Sequence, residues 1–380
     1  VAKVAGIAGA ENHLLRLLPE LATRGFDIKV VVLGDDGPSR GFRDALAAAG
    51  IASQRVPIRA PWDPLTMRTL TVRLRDLRPD VVHTHLIHAD VHGQAAAARA
   101  GVPLKVSSRH NTNPFRRWLW VRFFDRGALR RVDRVIAISE AVGRFVVDVE
   151  GADPVRVRVV PYGLDPPPVV PGARDVARRG LGIDDSSPVV GVFGRCVRQK
   201  GIDVLLKAWP EVLSIHPAAR LVVVGDGPLR ARLELQSRDI GRAGRVIFVG
   251  WVDHAADLMP GCDVIAIPSR WEGFGLVALE AMAAARPVVA SRVGGLEEIV
   301  ADSVSGMLVA PENPAALADA LSRLLAQPTV AESLGVAGLE RLRTQFAVAA
   351  MVDGTEAVYR ELLDGEPPGG PAPPSARTRR

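Results

Sequence analysis

The feature that most constrains this chain is a rhythm. Short runs rich in Val and Ile alternate with amphipathic helical stretches, twice over, with a proline run between the two series. In the first series the strand-like runs are 28–33, 81–85, 105–108, 135–138 and 157–160, and helical patterns fill 11–24, 40–49, 65–77, 90–100 and 115–131. Strands separated by helices cannot pair as tight hairpins, so they form parallel βαβ units. Pro166-Pro167-Pro168 and a short Arg-rich helix at 174–180 interrupt the rhythm. A second series then supplies strands at 189–193, 220–224, 246–249, 264–267, 288–290 and 306–309, and helices at 315–326, 330–345 and 347–363. The fold class is α/β, with two Rossmann-like parallel-sheet domains at 1–170 and 188–346. Residues 171–187 read as a linker, 347–364 as a last helix and 365–380 as a Pro/Gly-rich disordered tail. Open parallel sheets bind ligands beyond the carboxyl ends of their strands, so two such domains facing each other would share one cleft.

Composition sets outer bounds. Hydrophobic residues make up 48% and charged residues 24%, which is ordinary for a globular protein. No window reaches the ~18 uninterrupted apolar residues of a membrane span, and the first ten residues lack the pattern of a signal peptide. Two cysteines, Cys196 and Cys262, cannot build a disulfide framework, so the expected compartment is the cytoplasm. The formal charge of +6 favours phosphate-bearing partners, and part of it belongs to Arg377, Arg379 and Arg380 in the tail. Because the chain starts at Val1 without a Met, residues of a first strand are expected to precede it.

One stretch carries the strongest chemical signal: Ser269-Arg270-Trp271-Glu272-Gly273-Phe274-Gly275-Leu276-Val277-Ala278-Leu279-Glu280. It follows an apolar strand and opens through two glycines into a helix former, so it reads as strand, tight loop and helix N-terminus. The first-turn N–H groups have no partner within the helix, and the peptide dipoles leave about half a positive charge there. That end suits a phosphate. Glu272 and Glu280 bracket it and can accept from sugar hydroxyls, so a nucleotide sugar fits the stretch. Upstream, the strand 189–193 ends in Gly194-Arg195, with Lys200-Gly201 close behind. The chain has only five lysines, and one beside a strand-end arginine in the same half-chain reads as charge for a diphosphate leaving group.

The first half offers weaker signals. Gly6-Ile7-Ala8-Gly9-Ala10-Glu11, running into Asn12, is another strand-to-helix glycine turn, either a plain βα turn or a second approach to the diphosphate through Gly9. His83, His85, His88 and His92 resemble a metal cluster, but side chains leaving a strand end should scatter, so we expect no metal there and read His85 as acceptor-site lining or strand-end packing. His110, in Ser107-Ser108-Arg109-His110-Asn111, ends another strand and is either a reacting group or a capped histidine. The aromatic and arginine stripe at 115–124 is either a core-facing helix or peripheral contact with an anionic membrane face. No nucleic-acid motif accompanies the charge, so nucleic acid is not an expected partner. Gly225-Asp226-Gly227-Pro228 lacks the third glycine of a dinucleotide fingerprint, and no Asp-x-Asp metal motif is present.

With these residues in view, the chain resembles the family four retaining glycosyltransferases of the GT-B fold from Gly6 to about Leu363. The resemblance rests on Gly9-Ala10-Glu11, Val160-Pro161-Tyr162-Gly163-Leu164-Asp165, Gly194-Arg195 with Lys200-Gly201, Gly225-Asp226-Gly227-Pro228 and above all the run between Glu272 and Glu280. It implies a metal-independent enzyme with no cofactor beyond its nucleoside-diphosphate sugar donor, acting on a sugar, lipid-linked or small-molecule acceptor in glycan, glycolipid or glycoconjugate synthesis. By resemblance Glu280 holds the ribose. The amides of Gly275, Leu276 and Val277, with Arg195, Lys200 and Gly9, hold the diphosphate, and Gly194, Gly273 and Phe274 also belong to the donor side. Glu272 and His110 contact the donor sugar and the backbone near Val252 the base, with Glu11, Asn12 and His85 on the acceptor side. Two residues depart from the family pattern: Ala8 replaces a frequent glycine, and Tyr162 a frequent asparagine. The alternatives are a sugar-nucleotide epimerase of the same architecture and a non-catalytic basic scaffold for membrane or nucleic acid.

Overall fold

The structure, a computed structural model, describes residues 1–4, 9–58, 63–112, 118, 126–168, 170–183, 187–238, 240 and 244–365. The glycine turn at 6–8, most of the stripe at 115–124 and the tail therefore lie outside the described residues. The chain divides into two compact units, Val1–Tyr162 together with the chain from Val348 onward, and Gly163–Ala347.

The first unit holds a seven-stranded sheet made of β1 (Ala2–Lys3), β2 (Lys29–Leu33), β3 (Ala52–Val56), β4 (Val81–His85), β5 (Leu104–Arg109), β6 (Arg134–Ala137) and β7 (Val157–Val159). Its order is β3-β2-β1-β4-β5-β6-β7, and the paired strands are parallel. The second unit repeats the scheme with β8 (Val189–Phe193), β9 (Arg220–Val224), β10 (Val246–Gly250), β11 (Val264–Ile267), β12 (Val288–Ser291) and β13 (Met307–Val309), in the order β10-β9-β8-β11-β12-β13. Each sheet winds one way from its first strand and then the other. The switch falls between β1 and β4 in one unit and between β8 and β11 in the other, which is where doubly wound sheets bind ligands.

Burial explains the pattern. Along β2, Val30 and Val32 join one core cluster while Val31 and Leu33 join another, so helices cover both faces of the sheet. The helix Gly9–Thr23 buries Leu14, Leu17, Leu18 and Leu21, the spacing of a single helical stripe. In the second unit Trp209, fully buried with Leu205, Leu221, Val223 and Leu321, fills the space between helices and sheet. The last helix, Val348–Leu363, packs Met351, Val352 and Val358 against Leu17 and Leu21 of the first unit, and its Glu361 pairs with Arg134 at 2.9 Å and Arg158 at 2.6 Å.

Two local differences from the sequence reading stand out. β3 was not expected, because Ala-Ser-Gln-Arg-Val is largely exposed at the sheet edge and carries no apolar run. The helix expected at 90–100 is broken into Ile87–Ala89, a π-helical turn Asp90–Gln94 and Ala95–Ala100. Such insertions tend to mark functional positions, and this one follows the end of β4.

Candidate active site

In the second unit the site is built on the loops that leave β8 and β11. After β8 the chain runs through Gly194, Arg195 and a 3-10 turn Arg198–Lys200 into the helix Ile202–Ile215. Gly201 begins that helix at φ +62°, and a Cβ there would lie 1.9 Å from the carbonyl oxygen of Pro268, just past β11. The two loops are thus in backbone contact. Arg270 fastens them further: its guanidinium donates to both Asp203 carboxylate oxygens at 2.8 Å and to Glu312 at 2.7 Å, holding the Asp203 carboxyl below its usual range.

This stapling places Lys200 against Glu272. Lys200 Nζ donates to Glu272 Oε1 at 2.5 Å, Ser269 Oγ donates to the same oxygen at 2.9 Å, and Gln199 Nε2 reaches Oε2 at 3.3 Å. The Glu272 side chain is 7% exposed and that of Lys200 18%. A lysine ammonium has three donors, so Lys200 can keep Glu272 and still reach an anion. Immediately downstream, Gly275 starts the helix Leu276–Ala283 at φ +110° with no side-chain cap, which leaves the first-turn amides of Leu276 and Val277 to a ligand. Gly273 and Phe274 are buried in the loop before it, and Glu280 is half-buried one turn further on. Arg195 is exposed and has no ion pair among the described residues, whereas Val252 is half-buried beyond β10. Sequence reasoning assigned Lys200, Glu272 and the glycines but missed Ser269 and Gln199, which orient Glu272. Their only signal was adjacency to the motif.

In the first unit, at the switch between β1 and β4, four histidines come together. The expectation that side chains here scatter is corrected: His83 and His85 both lie within β4, two residues apart and so on one face, and their ring centroids are 4.1 Å apart. His110 follows β5, the neighbouring strand, and its ring lies 5.4 Å from that of His85. His13, on the buried stripe of the first helix, packs 4.3 Å from the ring of Tyr162. Among the described residues no three His, Cys, Asp or Glu side chains are disposed to hold a metal ion. The imidazoles bond to tyrosines, a serine, a methionine and, for His85, to His110. His83 bonds Tyr359 Oη at 2.6 Å and Ser108 Oγ at 2.8 Å, and His13 Nδ1 lies 3.0 Å from Met351 Sδ. Glu11 and His85 are buried, Asn12 is half-buried and Gly9 is exposed.

Burial, reinforced by the neighbouring charges, pushes His13, His83 and His85 well below 6.5 and His110 down to about 3. The sign follows. Unfolded imidazoles take protons near 6.5 while the folded ones refuse them, so stability is full above that pH and falls as the pH drops toward 3. Hydrogen exchange pulsed at a common pH after incubation at pH 7 or 4.5 should show residues 81–110 losing protection at pH 4.5 before 189–193 and 264–267. Equal protection of the two regions at pH 4.5 would contradict this account.

The architecture is that of two doubly wound sheets, one presenting a cationic loop beside a helix start without a side-chain cap at its strand switch, the place where open sheets of this class bind ligands. The Glycosyltransferase Family 4 profile matches residues 7–167, and that of Glycosyl transferases group 1 matches residues 187–327. The chain is 33% identical to a D-inositol 3-phosphate glycosyltransferase of Acidothermus cellulolyticus over 94% of this chain and 87% of that one. It is also 33% identical to an alpha-maltose-1-phosphate synthase of Mycolicibacterium smegmatis over 74% of this chain and 79% of that one. The crystal structure of Anabaena Alr3699/HepE in complex with UDP and glucose superposes with a TM-score of 0.84 at 22% identity, covering 95% of this chain and 99% of that one. The chain belongs to the group 1, family 4 glycosyltransferases, retaining enzymes of the GT-B fold that depend on a nucleotide sugar.

Proposed function

We propose that the enzyme moves a sugar from a nucleoside-diphosphate donor to an acceptor hydroxyl without a metal ion, and that the second unit holds the donor. The carrying observation is the Lys200–Glu272 pair at the β8/β11 switch, beside the uncapped amides of Leu276 and Val277. The bond between the anomeric carbon and the β-phosphate oxygen breaks, and the new bond to the acceptor oxygen forms on the same face. The acceptor proton passes to the departing phosphate oxygen. Lys200, Arg195 and the helix end stabilise the charge growing on the diphosphate, as preorganised donors do. Glu272, held by Ser269 and Gln199, accepts from hydroxyls of the transferred sugar, and Glu280 from the ribose. Gly194, Gly273, Phe274 and Gly275 shape the diphosphate loop, and the backbone near Val252 meets the base. Gly9, Glu11, Asn12, His85 and His110 act from the first unit, on the acceptor and the donor sugar.

A UDP-sugar is the first donor to test, because the solved relative from Anabaena was crystallised with UDP-glucose as well as with UDP. The acceptor belongs to glycan, glycolipid or small-molecule glycoside synthesis, and the relatives named for inositol 3-phosphate and maltose 1-phosphate make phosphorylated polyols the first acceptors to try. The free, buried thiols of Cys196 and Cys262 agree with work in the cytoplasm.

Calorimetry tests the donor site. Glu280→Ala should bind UDP about tenfold to a hundredfold more weakly, the loss of one or two charge-assisted hydrogen bonds. Wild-type UDP binding with unchanged affinity in Glu280→Ala would remove the ribose assignment. No stabilisation by UDP-, GDP- or ADP-sugars at ~100 times a plausible dissociation constant, where about 2.7 kcal/mol is due, would remove the donor site itself.

A further inference from the structure

The histidine array of the first unit does more than fill space, because its hydrogen bonds restrict where each proton can sit. His110 Nδ1 is in short contact with Tyr162 Oη, and His110 Nε2 lies 3.3 Å from His85 Nδ1. We infer that Tyr162 is a positioning residue that fixes the tautomer of His110, keeping its proton on Nε2 so that the imidazole offers one N–H donor to a ligand oxygen, with His85 Nδ1 as the resting acceptor.

The argument is one of donors and acceptors. A phenol gives up its O–H to an imidazole nitrogen readily but is a poor acceptor, since its lone pair is delocalised into the ring. Tyr162 is 4% exposed, and burial together with the charge of Glu11 pushes its ionisation far up, so the phenol keeps its proton. His110 is held neutral by burial and by Arg109 beside it, and a neutral imidazole carries a single N–H. With Nδ1 accepting from Tyr162, that N–H is at Nε2, because the bond made by one ring nitrogen decides the state of the other. His85 then accepts at Nδ1 and carries its own proton on Nε2.

The rings are also locked in place. His110 stacks between His85 and Tyr162 with interplanar angles of 28° and 27°. His13 backs the Tyr162 ring and His83 backs the His85 ring, at centroid distances of 4.3 and 4.1 Å. The last helix supplies the outer supports, Tyr359 to His83 and Met351 to His13. The His110–His85 separation of 3.3 Å is long for a hydrogen bond, so a sugar hydroxyl can replace His85 at little cost.

The kinetic consequence rests on the proposed contact of His110 with the transferred sugar; the tautomer does not. Two-bond proton–nitrogen correlation spectra of protein labelled with nitrogen-15 histidine should show the His110 proton on Nε2 in the wild type, with the signal identified by its loss in His110→Gln. Tyr162→Phe should give mixed tautomers and lower kcat by on the order of 10–100-fold with a smaller change in KM, the loss typical when an orienting partner is removed. A wild-type His110 protonated on Nδ1 overturns the inference, whatever the variant does. So does a Tyr162→Phe enzyme with unchanged tautomer and rate. If His110→Gln retains full activity while the wild-type spectrum is as expected, the sugar contact is wrong and the tautomer assignment stands.

Discussion

Replacing Lys200 by alanine is expected to lower kcat about a hundredfold or more in a protein that remains folded, the loss typical of one preorganised donor at a site of growing charge. The geometry adds a complication. Lys200 also neutralises Glu272, whose side chain is 7% exposed and otherwise bonded to Ser269 and Gln199, so the variant leaves a carboxylate short of one partner. A stability cost of about 1–3 kcal/mol follows from that vacated bond. The two effects separate in a second variant. Lys200→Ala combined with Glu272→Gln removes the uncompensated charge, so stability should recover while activity stays low. Glu272→Gln alone is the reference for activity: if Lys200 only balanced Glu272, the double variant would turn over as fast as Glu272→Gln, whereas a phosphate role makes it about a hundredfold slower still. Near-normal turnover of folded Lys200→Ala would falsify the phosphate role outright.

How much of this was legible in the sequence depended on whether the physical cause was local. β8, β9 and β11 occupy 189–193, 220–224 and 264–267 as read, because a strand buried on both faces must be an unbroken apolar run. β3 escaped because an exposed edge strand needs no such run. The glycine at the start of the helix Leu276–Ala283 was legible for a similar reason: only a residue without a side chain takes φ +110° easily, so Gly275 marks the turn in the sequence itself. The Lys200–Glu272 pair spans 72 positions, and nothing near either residue announces the other. The histidines went wrong for an instructive reason. The strand was read at 81–85, as it is, but its last side chains were expected to scatter, whereas residues two apart within a strand share a face and bring both rings together. The left-handed residue Leu86, at φ +72°, then turns the chain away. The tyrosines that occupy His83 and His110 come from the last helix and from beyond β7, and only the folded sheet brings them near.

The second large effect lies beneath His110. Arg109 donates to Glu150 at 2.8 Å and is in close contact with Asp90, and the three side chains are 4%, 0% and 4% exposed respectively. Thr84 and Ser107 hydroxyls each donate to Asp90 at 2.6 Å. This is one buried cation between two buried carboxylates. Arg109→Met is therefore expected to destabilise the first unit by about 3–5 kcal/mol, the usual cost of removing one member of such a network and leaving the rest uncompensated. Without the arginine, two carboxylates stay buried with their cation gone. Urea unfolding of wild type and variant at pH 7.5 reads the cost directly, and a deficit below about 1 kcal/mol excludes the network as a support. Adding Asp90→Asn and Glu150→Gln to Arg109→Met removes both stranded charges and should recover much of the loss at pH 7.5. Activity need not recover with it. Arg109 is the last residue of β5 and His110 the next, so the guanidinium that steadies the strand end also sets where the imidazole begins.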